Sequence, residues 1–593
     1  MIARTATATA VATVTATASI LPGTPAEIFT RLSSEYPRTV AAFREMPEGA
    51  TALAAVARLD ERFAVAVGGK GRAAALVWAD MLPPADAMYD VIYLGGVLGL
   101  INATALLAGT RRAADALRVA VIDEAKAGYA HREWNISRAE LHELIAAGVL
   151  VERDLDEVVA TRYQSGIIRF HAENAGIAAV PVDTTDVLDV AVRADTLLAR
   201  CRARFLALGG TLIEGRRFRQ LHARREGAVA SVVAVEGPSG TIEHYAARLV
   251  VDAMGTVSPL AWAINAEGAI QGVCPTVGTT ARGFRAGTGA REVDATTGEV
   301  LVTVADAQGG HQLIWEGFPA GDDEYTVYVF YYDAVRPDTP QSLLALFEQY
   351  FALLPTYKEA GPTFAHLKPV YGFIPARYHD TRSGTGAARG VVSIGDAAAQ
   401  QSPLTFCGFG SHTRNLRRIT GTLRYCLTHD LLEAQHLRHA GAHQANLAPL
   451  WGLSRMMAHS DAHDADPAGV NRVMNVFLGS LRDLGTGTTR RFLRDTPTWG
   501  EYTGMMLRTV IRHPWVFTAL HHRLGTRGFL AWYADYARFG LVALGRAALG
   551  DPLHGPRAWC AGWLGRRCPA LGLALMARQW EYRSMRGPVA DKP

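Results

Sequence analysis

An α/β fold with an α+β insert is what this sequence predicts, and three stretches predict it. Residues 89–99, YDVIYLGGVLG, read as a buried strand, a glycine turn and a helix starting at the last glycine. Residues 119–123, VAVID, follow as a second strand ending in a carboxylate, which completes a Rossmann-like βαβ unit. Residues 300–333 form a strand-rich block around HQLIWEGF (311–318) and YTVYVFYY (325–332). From about residue 412 the pattern is helical, broken at Pro449, Pro467, Pro497, Pro514, Pro552 and Pro569.

The elements follow in chain order. Residues 1–19 are nearly all Ala, Thr and Val, so a floppy low-complexity tail is expected. A charged n-region and an apolar h-region are missing, which argues against a secretory signal; an organelle transit peptide stays open. Residues 30–80 read as helical up to the break at Pro83-Pro84. In 195–208, Leu197, Leu198, Cys201 and Phe205 share a helix face, and Gly209-Gly210 closes it. A short strand is expected at 211–213. Residues 229–235 and 241–247 form a hairpin around Gly237-Pro238-Ser239-Gly240. Residues 248–252 read as a further strand, running into Ala253-Met254-Gly255.

These elements divide the chain into five parts. They are a tail (1–29), a helical N-terminal extension (30–87), a nucleotide-binding domain in two pieces (88–258 and 370–428), a substrate-binding sheet domain (259–369) and a helical C-terminal domain (429–593).

Composition excludes several classes. A net charge of +4 over 593 residues argues against nucleic acid as a partner. Six cysteines with no C-x-x-C pair point to free thiols in a reducing, cytoplasmic setting. No window of 18 apolar residues appears, so no spanning helix is expected. Residues 529–549 carry Trp532, Tyr533 and Tyr536 beside Arg538 and Arg546. Such a helix suits a bilayer interface, which makes the protein peripheral to a membrane, or it packs on its own domain. His439 with His443, and His459 with His463, sit one helical turn apart near Asp461 and Asp464. Without H-E-x-x-H they read as a solvated face, and no metal is expected.

Two motifs carry a cofactor. Gly96 and Gly99 fit the second and third glycines of G-x-G-x-x-G, with Gly95 extra and Leu94 in the first position. Glycines let the backbone approach a pyrophosphate, and the helix N-terminus favours its charge. Asp123, 24 positions after Gly99, stands where a ribose hydroxyl needs an acceptor. About 300 residues later, Gly395-Asp396 close the apolar strand of GVVSIGD (390–396), with Pro403, Gly408 and Gly410 beyond. An acid at a strand end followed by a helix N-terminus suits the ribityl chain and pyrophosphate of FAD. Arg138 opens a helix in ISRAELHEL, where it reaches the flavin or stays on the surface.

The order of glycine turn, VAVID, ISRxxL, hairpin, DAMGTVS (252–258, with Gly255) and GD…P resembles the flavoprotein group of aromatic hydroxylases and geranylgeranyl reductases. Within it the chain is most similar to the Cru-type lycopene cyclases of green sulfur bacteria and cyanobacteria. EWNISR (133–138), WEGFPAG (315–321), YGFIPA (371–376), GDAAAQQSPLTFCGFGS (395–411) and FLRD (492–495) carry the likeness, and YPRTV (36–40) and the helical tail also fit. It covers nearly the whole chain. The resemblance implies an FAD-binding carotenoid cyclase that closes a linear polyene end into a ring without net redox change. It implies reduced flavin, with NADPH or another reductant as the external electron source.

Such a reaction needs a proton donor, a shielded carbocation and a proton acceptor. Glu316, between Trp315 and Phe318, is the first candidate donor, because a carboxyl among aromatics is hard to ionise. A strand-edge position facing solvent is its alternative. Asp333 is the second candidate and Glu133 the third. Phe318, Tyr325, Tyr328, Phe330 and Tyr332 are expected to line an apolar tunnel or to form core. Two other functions stay open: a flavin monooxygenase or isoprenoid reductase on the same scaffold, and a carotenoid- or flavin-binding paralogue without activity.

Overall fold

The computed structural model describes residues 25–69, 72–109, 116–130, 133–265, 270–321, 323–377, 386–400, 404–405, 407–441, 444–459, 466–550 and 562–584. Most of the expected tail lies outside these residues, but its last five form the start of a helix, Pro25–Leu32. Pro403, His443, Asp461, His463 and Asp464 also lie outside them.

The fold is α/β and Rossmann-like, as expected. Five parallel strands form its centre, in the spatial order Thr211–Glu214, Val119–Asp123, Ala87–Leu94, Ile242–Asp252 and Val391–Ser393. Apolar runs such as VAVID suit strands covered on both faces. The helices Leu98–Ala108, Ala194–Ala207 and Gly408–Thr428 bury one face, through Leu106, Leu198 and Leu423. Ile92, Ile122, Val250 and Leu260 fill the other.

Three expectations change here. The expected strands 241–247 and 248–252 are one continuous strand, Ile242–Asp252. Its first half pairs antiparallel with Ser231–Glu236, and its second half pairs in parallel with Ala87–Leu94 and Val391–Ser393. Arg248 looked like a break because the chain turns more apolar there, but a strand needs no break to change partner. Arg217–Arg224, too polar to read as a strand, joins the same meander. Leu76–Ala79, inside the region expected to be helical, adds an edge strand beside it.

The second sheet has eight strands among the described residues. Its longest pair, Gly272–Phe284 with Ala360–Ala376, was not expected, because runs such as GVCPTVGTTARGF alternate poorly. Ser165–Arg169 and Val182–Thr184 extend the far edge, so the sheet crosses the expected boundary at 258/259. Strand alternation splits the strand block into two faces. Ile314, Phe330 and Tyr332 face the C-terminal helices. Trp315, Tyr325, Val327 and Tyr331 face the N-terminal helices and the helix Leu343–Tyr357. The expected aromatic tunnel is therefore divided: Tyr325 lies on the opposite side from Phe330 and Tyr332. A small three-stranded sheet holds Glu133–Ile136 against Val190–Arg193.

The N-terminal helices are part of this body. Asp60, on the helix Gly49–Val67, accepts hydrogen bonds from Ser342 Oγ at 2.7 Å and from the Leu343 and Leu344 amides at 2.7 and 3.1 Å. It thereby caps the N-terminus of Leu343–Tyr357 from another element. Replacing Asp60 by Ala is expected to cost about 1–2 kcal/mol, read as a lower urea midpoint at unchanged slope.

Candidate functional site

The carboxyl ends of the five parallel strands converge on one crevice, at the point where strand order reverses around Ala87–Leu94. Open α/β sheets bind ligands there. Gly95 has φ +105°, and a Cβ on it would lie 2.4 Å from the Ala253 carbonyl oxygen. A Cβ on Gly96 would lie 2.7 Å from Ala127 Cα. Gly99 meets Ala253 from the first turn of the helix Leu98–Ala108. The glycines thus let two strand ends and a helix close on one point. The Gly96 amide donates to Asp123 Oδ2 at 2.5 Å, and the Ala125 amide to Oδ1 at 2.7 Å. Burial raises the Asp123 pKa against these two bonds. Each oxygen keeps a lone pair for a further donor.

The second motif meets the first. A Cβ on Gly395, which has φ +58°, would lie 2.6 Å from Leu98 Cδ1. Asp396 follows in a half-buried 3-10 turn, Gly395–Ala398. Gly255, also at positive φ, has open space where a Cβ would stand. Asp252 ends its strand fully buried, accepting from Ser258 Oγ at 2.6 Å and from the Met254 amide at 3.1 Å. Burial pushes its carboxyl up to about 6.

Gly408 opens the helix Gly408–Thr428 and lines a small cavity with Gly395, Gln400, His412 and Arg418. Burial pushes His412 down to about 4, so it is a neutral imidazole. Its Nε2 lies 2.7 Å from Asn102 Nδ2. That amide donates, so Nδ1 carries the ring proton. Nδ1 and Asn102 Oδ1 have no hydrogen-bond partner among the described residues. Buried orphans of this kind mark a place where a polar ligand belongs. Arg138 begins the helix Arg138–Ala146 with an exposed side chain.

Glu316 is fully buried on the strand Ile314–Gly321, not at a solvent-facing edge. Alternation puts it on the face of Ile314 and Phe318, opposite Tyr328 on the neighbouring strand. Asn135 Nδ2, from the strand after VAVID, donates to Glu316 Oε1 at 2.6 Å. Oε2 has no hydrogen-bond partner among the described residues. Burial lifts the carboxyl to about 8, against the opposing pull of Tyr328 and Asn135. Next to Asn135, Trp134 packs against Phe409 at 4.3 Å between ring centroids. Glu316 is therefore a neutral acid at pH 7, bonded to the Rossmann-like body.

The other candidate acids sit differently. Asp333 is engaged by Arg336 at 2.6 Å, the Ala334 amide at 2.7 Å and Gln341 at 2.8 Å. That network explains its burial without a ligand. Glu133 starts the strand Glu133–Ile136, in register with Arg193. Among the described residues, no three His, Cys, Asp or Glu side chains cluster as a metal site.

A buried charge network was missed by sequence reasoning. Glu140 pairs with Arg414, and Arg414 Nη2 lies 3.7 Å from Asp495 Oδ2. Thr405 Oγ1 donates to Asp495 Oδ1 at 2.8 Å. Burial pushes Asp495 up to about 6 and Arg414 down to about 10. Gly410 leaves the room this network needs: a Cβ there would lie 2.1 Å from Glu140 Oε2. The only sequence signal was the acid in FLRD, which joins helix 486–493 to the cofactor loop.

No family model matches the chain, and no curated protein matches it. Solved structures resemble it at low identity. A geranylgeranyl bacteriochlorophyll reductase-like protein from Thermoplasma acidophilum is 13% identical, over 74% of this chain and 99% of that one, with a TM-score of 0.47. Halogenase PltM in complex with phloroglucinol and FAD is 12% identical, over 82% and 98%, with a TM-score of 0.48. The p-nitrophenol 4-monooxygenase PnpA from Pseudomonas putida DLL-E4 is 14% identical, over 71% and 98%, with a TM-score of 0.45.

Gly410→Ala is expected to push Glu140 off Arg414 and cost about 1–3 kcal/mol by overpacking. Thermal unfolding followed by circular dichroism measures it.

Proposed function

We propose that this protein is an FAD-dependent carotenoid cyclase, with lycopene as substrate. The observation that carries the reading is Glu316, a carboxyl kept neutral and dry on a sheet face that is bonded through Asn135 to the dinucleotide-type crevice. The residues of the crevice fit FAD. Gly95, Gly96 and Gly99 let the backbone close tightly at a helix N-terminus, where a pyrophosphate would sit, and Asp123 stands at the adjacent strand end. Gly255, Gly395, Asp396 and Gly408 would close the other side, while Gly410 gives room to Glu140 and Arg138 is exposed at the start of its helix. Reduced by NADPH or another donor, bound FAD supplies negative charge that stabilises a nearby cation.

The chain's own part is acid chemistry. The Glu316 carboxyl gives its proton to a terminal alkene carbon, whose π pair forms the new C–H bond. The tertiary cation left behind is attacked by an internal alkene, which forms the ring C–C bond. Loss of a proton then restores a double bond, so mass and oxidation state do not change. Phe318 on the same strand and Tyr328 on its neighbour meet edge to face at 6.1 Å on this side of the sheet, and aromatic rings there suit a positive charge.

Purified protein is expected to show flavin absorbance, and a lycopene-making host is expected to accumulate a cyclic product of unchanged mass. A gain of oxygen or hydrogen would instead point to a monooxygenase or a reductase. Glu316→Gln is expected to lower cyclisation at least ~100-fold. Activity should fall as pH rises through about 8, where Glu316 ionises. Stability follows the same sign. The folded state holds this proton more tightly than the unfolded chain, so stability present below about 4.5 is lost as pH climbs to about 8. Glu316→Gln should therefore flatten the alkaline fall in melting temperature.

We further propose peripheral membrane contact through the second half of the helix Trp515–Gly545. Trp532, Asp535 and Phe539 are buried, while Leu530, Tyr533, Leu541 and Leu544 are more than half exposed. Arg527 and Arg538 flank this stripe, and it carries no acid. An apolar stripe edged by arginines suits an anionic bilayer interface. No helix among the described residues is long and apolar enough to cross a membrane. Flotation with anionic vesicles is expected for the wild type and not for a Leu541→Glu, Leu544→Glu double variant.

A further inference from the structure

Cyclisation leaves a proton to be removed, and Glu316 accounts only for the one delivered. An apolar cavity with about 500 Å³ of atom-free space lies on the Glu316 face of the second sheet. Ile168 and Leu301 come from the sheet, Leu478, Leu481 and Phe492 from the C-terminal helices, and Thr405 from the loop after Gly395-Asp396. The lining is hydrocarbon except at Thr405, whose hydroxyl donates to the buried Asp495. A threonine hydroxyl that donates to a carboxylate keeps lone pairs free to accept.

We propose that the cavity seats the reacting end of an extended apolar polyene, and that Thr405 with Asp495 removes the proton that ends ring closure. This rests on the cyclase reading above. The C–H bond next to the cation breaks, and its electron pair becomes the ring double bond. The proton passes to Thr405 Oγ as the threonine proton moves to Asp495 Oδ1. Glu316 loses one proton and Asp495 gains one, so no oxidant or reductant is consumed.

The surroundings suit this division. Cys407 lies close enough to feel both carboxyls, which brings Asp495 and Glu316 to the same neighbourhood. Arg414 faces Asp495 from the helix Gly408–Thr428, Arg494 precedes it, and Glu140 holds Arg414 from beyond. Arg414 favours the ionised form of Asp495, while among the described residues no cation pairs with Glu316. At neutral pH one group is a base and the other an acid.

The test uses the flavin-loaded full chain with lycopene in detergent micelles, across pH 5–9. Wild type is expected to give a bell-shaped kcat with limbs near 6 and 8. Asp495→Asn should lower kcat at least ~100-fold and abolish the acid limb, while lycopene still binds. Thr405→Val, which leaves Asp495 paired with Arg414, should lower kcat at least ~10-fold with KM little changed. Leu478→Trp should weaken lycopene binding and leave flavin content unchanged. Full kcat with an intact acid limb in Asp495→Asn overturns the assignment of the base and leaves the cyclase reading standing. Wild-type lycopene affinity in Leu478→Trp overturns the assignment of the cavity. A wild type that binds lycopene and closes no ring at any pH overturns both readings.

Discussion

The hydrogen bond from Asn135 to Glu316 is the contact around which this molecule is arranged. It joins the strand that follows the dinucleotide βαβ unit to the middle of the second sheet. A carboxyl enclosed by apolar side chains would usually be expelled or rotated towards water. Here one amide satisfies one oxygen, the strand holds the backbone, and protonation removes the charge. Burial thus yields a neutral acid. The glycine turns, the parallel sheet and the three-stranded sheet that carries Asn135 all bear on how well that bond is held.

The C-terminal helices belong to the same device. Their core is shared with one face of the second sheet, through Phe170, Ile314 and Phe330 on one side and Trp451, Phe477 and Tyr502 on the other. Asp495 would carry an uncompensated charge in that interior without Arg414 and Thr405. Arg414 in turn depends on Glu140, which also completes the capping box of the helix Arg138–Ala146. One row of ionic contacts therefore runs from the helix Arg138–Ala146, through the helix Gly408–Thr428, to Asp495 in the helical tail. Loosening any of the three parts leaves a buried charge without its partner.

What could be read from sequence followed from how local each signal is. The strand–turn–helix at 89–99 and the VAVID strand are written within a few residues, and both appear in place. Gly395-Asp396 likewise meets the first motif, at Leu98. Long mixed strands were opaque. Gly272–Phe284 is buried at almost every position, so its threonines and glycines break the alternation that reading depends on. Tyr325 was grouped with Tyr328 and Phe330, although a period of two sends it to the other face. The Glu140–Arg414–Asp495 row joins residues far apart in the chain, and no local pattern announces it. Asn102 and Asn135, glycosylation sequons by letter, are in fact bound to His412 and Glu316 inside the protein.

Two carboxyls with separated proton affinities bear on which flavin chemistry suits the cavity. A hydride transfer or an oxygen insertion needs its proton traffic at the flavin, where one donor suffices. A ring closure that neither oxidises nor reduces must take in a proton at one carbon and release one at another. That calls for an acid and a base on opposite sides of one apolar chain, neither neutralising the other. Among the described residues Glu316 lacks a cation and stays protonated, and Asp495 has one and ionises first. Cys407 lies near both, buried and hydrogen-bonded to the Leu493 carbonyl at 2.8 Å. A thiol there carries no charge, because burial holds its pKa well above the ordinary value. A neutral thiol near both acids adds no charge that would draw their two proton affinities together.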